Sequence, residues 1–417
     1  MQIANGQPRC WVSCLGLLLA ATLATVCQAQ GTVRSDLVQI GQETTTATIS
    51  EVRSAGEWFT PEGPLDVGRI VRFGGPRLIR EDGVIALDDG STLVAKELRT
   101  EGTTLHAYNR LWDEMAIPLR PIRGLLLRAY LDPDETRRAL DRIQAYEGTQ
   151  DRLLLANGDS VEGTFRRLSA LDVEFQMADR ALKLDRKRVL EIHFAAALRH
   201  VPRQEPGVWV GLDDGTLLLA QQLQLSDDRL TVRLPVGIEL TSSPLENAFQ
   251  FLTYLRPQAG TDAAGATASV QYLSDLEPIS FKGLGFLSTE WNYQDDRDVL
   301  GGTLKSDRYV SQKGLGMHAT ARIAYRVPTE ATRFRAKVGI DDGTNGLGSV
   351  IFRVYTSQTG NQWKPVYESP TVRGGDFPRD VDVPLEDAKG IALVVEFADG
   401  ADVLDHANWL DARFESE

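Results

Sequence analysis

The chain has 417 residues, 42% of them hydrophobic and 25% charged, which excludes both wholesale disorder and a polytopic membrane protein. Its formal net charge of -13 excludes a surface built for nucleic acid or anionic lipid, since either needs clustered Lys and Arg. At roughly 150 residues per domain, the length suggests two to four domains.

In chain order, residues 1–29 read as a secretory signal: Arg9, an apolar run from Trp11 to Val26, and small residues around Cys27-Gln28-Ala29 where a peptidase would cut. Cleavage would start the mature chain near Gln30 and remove Cys10, Cys14 and Cys27, so no disulfide is expected. Alternatively, Leu23 to Cys27 forms a lipobox that keeps Cys27 as a lipidated N-terminus, although Val26 is bulky for that motif. No later apolar run approaches the ~18 residues of a membrane span. The expected product is exported, periplasmic or extracellular.

Three segments then share one pattern. Ala86 to Gly90, Leu154 to Asp159 and Val210 to Gly215 each run from apolar residues into an Asp-Gly or Asn-Gly pair, the strongest short hairpin signal, and alternating strands follow each. The spacing predicts units at about 83–129, 151–195 and 207–254, with a fainter copy at 36–74. Five short hairpin-linked strands per unit suggest small SH3-like or Sm-like β-barrels. The excess between two units holds a helix over 133–147, with Asp132 as N-cap, Pro133 in the first turn and a stripe of Leu140, Ile143 and Tyr146, docking between neighbouring units.

Residues 256–269 turn small and polar, a linker by composition, which predicts that the parts on either side fold separately. Beyond it, Phe334, Ala336, Val338 and Ile340 alternate with Arg333, Arg335 and Lys337, and Ile391 to Phe397 repeat the device. Gly- and Pro-rich turns separate these runs, a β-sandwich pattern. The expected class is therefore all-β, with barrel repeats, one helix and a C-terminal jelly-roll-like β-sandwich at 270–417.

Catalytic signatures are missing: no GxSxG elbow, HExxH or Walker loop, and Gly314 to Ala319 matches GxGxxA only before a strand. Tyr272 to Leu276, Trp291, Gly314 to Ala319, Val338 to Asp342, Gly348 to Val354 and Asp405 to Phe414 occur in an order that resembles the NPCBM family of carbohydrate-binding modules. The resemblance covers about residues 271–416. It implies a jelly-roll-like sandwich that binds sugars, commonly of galactose type, with a structural calcium ion.

Several residues support this independently. Met317, Ala319, Ala321, Ile323 and Tyr325 take one face, leaving His318 on the other; Leu410, Ala412 and Phe414 as core would turn Trp409 outward. With Trp291, Asp341, Asp342 and His406, these form the expected sugar site, because pyranose C–H faces stack on aromatic rings while hydroxyls bond His and Asp. Asp399, Asp402 and Asp405 follow a D-x-x-D-x-x-D spacing suited to Ca2+. Plainer alternatives stay open: Trp409 as a cover over the sandwich end, Trp291 as core, His406 paired with Asp405, Asp341-Asp342-Gly343 as a turn, and the aspartates as a solvated loop.

The expected function is exported, non-catalytic glycan binding, the repeats serving as spacer or protein-interaction platform. Two alternatives are a secreted glycoside hydrolase with an unrecognised site among the repeats and a cell-surface protein-interaction module.

Overall fold

Between the first and second strands of three units the chain makes the same reversal. Leu87 N–H donates to Ser91 O (2.9 Å) and Gly90 N–H to Leu87 O (3.1 Å); Leu155 repeats this with Asp159 and Gly158, and Leu212 with Thr216 and Gly215. Gly90, Gly158 and Gly215 sit at φ of 85°, 88° and 92°, where a side chain would strain the backbone. The computed structural model describes residues 31–178, 180–196, 207–258, 270–284, 291–360 and 362–416; the signal at 1–29 and linker residues 259–269 lie outside them.

Each reversal opens a five-stranded antiparallel unit whose fifth strand returns to pair with its first. One unit runs in space as Ile122–Leu126, Gly83–Leu87, Thr92–Glu101, Thr104–Asn109 and Asp113–Pro118. The next runs as Val189–His193, Asp151–Leu155, Ser160–Leu168, Asp172–Met177 and Arg180–Asp185. Residues 33–74 and 208–257 keep this order with the second strand broken, at Ser50 and at Gln221.

The all-β architecture with one helix is as expected, but the units do not close as hydrogen-bonded barrels among the described residues. They join edge to edge instead. Fifth strands pair between Ile122–Leu126 and Val189–His193 and between Leu252–Pro257 and Ile70–Gly74, while second strands meet at Thr92 with Leu217 and at Val52 with Leu225. A unit of about 45 residues buries too little apolar surface alone. Its remedy here is a single core from Leu37 to Leu255 that runs through all four units.

The helix, Pro133–Gln144, begins where the Asp132 side chain accepts the Asp134 N–H (3.0 Å). Its Ala139, Leu140 and Ile143 pack on Val84, Ala86 and Leu126. It touches the fifth strands of two units, as a docking helix should.

Residues 270–416 form a sandwich. One sheet orders Gln294–Asp295, Gly314–His318, His406–Glu415, Arg333–Ile340 and Arg379–Pro384; the other orders Ser280–Gly283, Ala321–Arg326, Gly390–Phe397, Ser349–Ser357 and Lys364–Glu368. The alternation from Met317 to Tyr325 does face the core. It is nonetheless two strands, because the chain crosses from one sheet to the other between His318 and Ala321.

The outer face of the first sheet rests on the repeats. Arg72 Nε donates to Asp411 Oδ2 (2.8 Å), Tyr309 and Ser311 hydroxyls donate to the same carboxylate (2.6 Å each), and Gly41 N–H donates to Glu415 (2.9 Å). Val38, Ile40 and Val71 pack against Tyr272, and Arg297 on the sandwich holds Asp141 on the helix at 2.6 Å through both fork nitrogens. Arg256 and Pro257, expected to open the linker, instead end the Leu252–Pro257 strand. Arg256 is buried, donates to Gln312 (3.0 Å) and lies 5.5 Å over the Tyr272 ring.

Candidate functional site

His318 and His406 are cross-strand partners at the end of the first sheet. Met317 and Ala407 beside them point into the core, so both imidazoles stand on the outer face with centroids 5.5 Å apart. Trp291 lies flat on His318, with centroids 4.5 Å apart and planes within 6°, and sits 5.9 Å from His406 at 51°. Three rings from three chain segments thus converge.

Their polar atoms are arranged for a neutral ligand. His318 Nδ1 faces the Ala319 carbonyl at 2.6 Å and must donate to it, which leaves Nε2 as an acceptor when the ring is neutral. Among the described residues His318 Nε2 and both His406 nitrogens have no protein partner, and none is a sealed orphan atom. Burial, reinforced by His318, pulls His406 down to about 4. At neutral pH it offers one donor and one acceptor, the pair a hydroxyl needs.

Of the residues expected in the site, the structure brings Trp291, His318 and His406 together. Trp409 is fully buried, 5.1 Å from Phe352 and 6.4 Å from Phe334, and cannot stack on a ligand. The reason is a β-bulge. Arg335 pairs with Arg413 and Lys337 with Leu410, so Asp411 and Ala412 oppose Ala336 alone, and Asp411 takes φ of 52°. The extra residue switches the strand's facing, so Trp409 and Phe414 both point inward.

Asp341 and Asp342 shape a turn rather than the ring cluster. Asp341 accepts the Gly343 N–H (2.7 Å) and an Asn408 Nδ2 hydrogen (2.8 Å), while exposed Asp342 accepts the Asp307 N–H (2.7 Å). The Asp341 N–H donates to His406 O (2.9 Å), which steadies the start of the site strand. Asn408, with no signal in the sequence, is the residue that ties Asp341 to Lys305 O (3.0 Å).

In the loop before His406, two of the aspartates expected to hold calcium have protein partners. Asp399 pairs with Arg373, and buried Asp405 turns Oδ1 to the Ser349 N–H (2.7 Å). Among the described residues no three His, Cys, Asp or Glu side chains are placed to hold a metal.

Comparison with known proteins places this site within a family match. The NPCBM/NEW2 domain model matches residues 269–415, the family that the ordered motifs resemble. A Renibacterium salmoninarum protein named as an endo-alpha-N-acetylgalactosaminidase is 30% identical over 145 residues, 34% of this chain and 9% of its own length. Alpha-1,3-galactosidase B of Akkermansia muciniphila is 33% identical over 107 residues, 25% of this chain and 13% of its own. The chain thus spans only 9% and 13% of these curated relatives. Among solved structures, CBM51 from Clostridium perfringens GH95 in complex with methyl-galactose is 26% identical, with TM-score 0.31, covering 35% of this chain and 99% of that one. CBM51-2 with GlcNAc and INT domains from Clostridium perfringens ZmpB is 24% identical, with TM-score 0.31, covering 50% and 40%.

Proposed function

We propose that residues 269–415 bind neutral glycans through a terminal galactose-type residue at Trp291, His318 and His406, in an exported, non-catalytic protein whose repeats serve as a spacer or interaction platform. The observation that carries this reading is the parallel Trp291–His318 stack beside a second imidazole that burial keeps neutral. They offer an aromatic face beside one-donor and one-acceptor groups, which suits the C–H face and hydroxyls of a pyranose. The galactose class is supported by the names of the two curated relatives, a galactosidase and an N-acetylgalactosaminidase.

Contacts from three rings recover little beyond the costs of association, so the dissociation constant should fall on the order of 10 μM to 1 mM. Calorimetric titration of the full chain with a methyl galactoside tests it. Trp291→Ala and His318→Ala should each weaken binding at least tenfold with the melting temperature held; unchanged isotherms for both would move the site elsewhere. Release of free sugar from the same glycans would contradict the non-catalytic reading.

A further inference from the structure

The two outer faces of the sandwich differ. One is covered by the repeats through Arg72 and Asp411, while the other, formed by Ala321–Arg326, Gly390–Phe397 and Ser349–Ser357, carries an open groove of about 440 Å³. Its floor is low because the residues pointing outward there are Ala324, Ala392 and Val394. One wall is aromatic, from Tyr355 and the exposed Trp363, and the far side carries Arg322 and Glu396. Trp363 is seated rather than adrift: its ring lies over Gly390, where a Cβ would meet the ring edge at 3.2 Å. A second hollow of about 650 Å³ shares Trp363 as a lining residue and carries amides and a hydroxyl from Gln358, Gln362 and Thr359.

The charges select the occupant. Glu396 is already held by Arg353, Arg322 has no ion pair among the described residues, and Lys364 and Glu386 balance each other in the second hollow. A nearly balanced surface gives no grip on a polyanion or polycation. An aromatic ridge between an apolar floor and a fringe of amides, hydroxyls and one available guanidinium suits a neutral sugar chain, whose C–H faces stack while its hydroxyls bond in pairs.

We propose that this sandwich carries a second, independent site for neutral oligosaccharides, centred on Trp363, on the sheet face opposite Trp291 and His318. The chain would then hold two sugars at once, on opposite faces, and gain avidity on a glycan-dense surface.

The test is an array of defined uncharged oligosaccharides probed with the full chain. A Trp291→Ala and His318→Ala double variant should keep binding a subset of these glycans. Adding Trp363→Ala should weaken that remainder at least tenfold and Trp363→Phe should restore most of it, with unchanged far-ultraviolet circular dichroism in each case. If the double variant binds nothing that the wild-type chain binds, there is one site only and this inference is overturned while the first reading stands. If Trp363→Ala leaves the remainder untouched, or changes self-association in sedimentation instead, the groove is not a sugar site. Binding by the wild-type chain that only Trp363→Ala abolishes would keep this inference and overturn the assignment to Trp291 and His318.

Discussion

Burial moves neighbouring ionisable groups in opposite directions at the site end of the sandwich. It pushes Asp341 up to about 7, with Asp298 adding to the effect, and draws His406 down to about 4. For Asp341 the sign follows from proton linkage. The folded chain binds this proton more tightly than the unfolded chain, so the stability it contributes is present at low pH and is lost as pH rises through about 7. Asp341→Asn cannot ionise, and its stability should improve relative to wild type as pH rises from about 4 through about 7, by on the order of 4 kcal/mol in all. Urea titrations of both proteins at several pH values measure this; a pH-independent difference would mean that Asp341 is ionised throughout. The outward position of His318 is legible in the sequence, because it follows from local alternation. The turn role of Asp341 was one of two open readings there, whereas its bond to Asn408 joins residues far apart in the chain and left no trace.

A single bulge decides what the last strand presents. Alternation counted back from Phe414 puts Trp409 outside, yet Asp411 adds one residue and turns Trp409 into the core against Phe352. The bulge aims the Asp411 carboxylate at Arg72, a residue 339 positions away, so nothing near Trp409 in sequence announces it. The repeated turns are the opposite case: Gly90, Gly158 and Gly215 sit in dipeptides whose conformational need is local, and they were readable at once. Trp409→Ala should therefore cost about 3–5 kcal/mol as a core cavity. Trp409→Phe should cost less and leave sugar affinity unchanged, whereas a Trp409→Phe variant that folds normally but loses affinity would return Trp409 to the ligand.

Composition located a polar segment after Arg256 but could not show that the surfaces on either side of it meet. They do so through a buried charge. Despite burial, which would raise it, Arg72 and Arg413 hold the Asp411 carboxylate at about 2, and Tyr309 and Ser311 complete its shell. Removing one partner of such a pair strands the other, a loss of about 3–5 kcal/mol. Wild-type chain should unfold in one calorimetric transition, and Asp411→Asn should split it into two as sandwich and repeats uncouple. Two transitions already present in the wild-type chain would mean that the docked faces contribute little.

Sandwich and repeats together leave the Trp291, His318 and His406 rings at the end of the covered sheet, where one pyranose is expected to rest. A crystal of the full chain soaked in a methyl galactoside tests it most directly. Density is expected for a sugar ring against Trp291, with hydroxyls within hydrogen-bond distance of His318 Nε2 and a His406 nitrogen. Sugar density elsewhere with these three rings bare, at a concentration that saturates binding in solution, would contradict it.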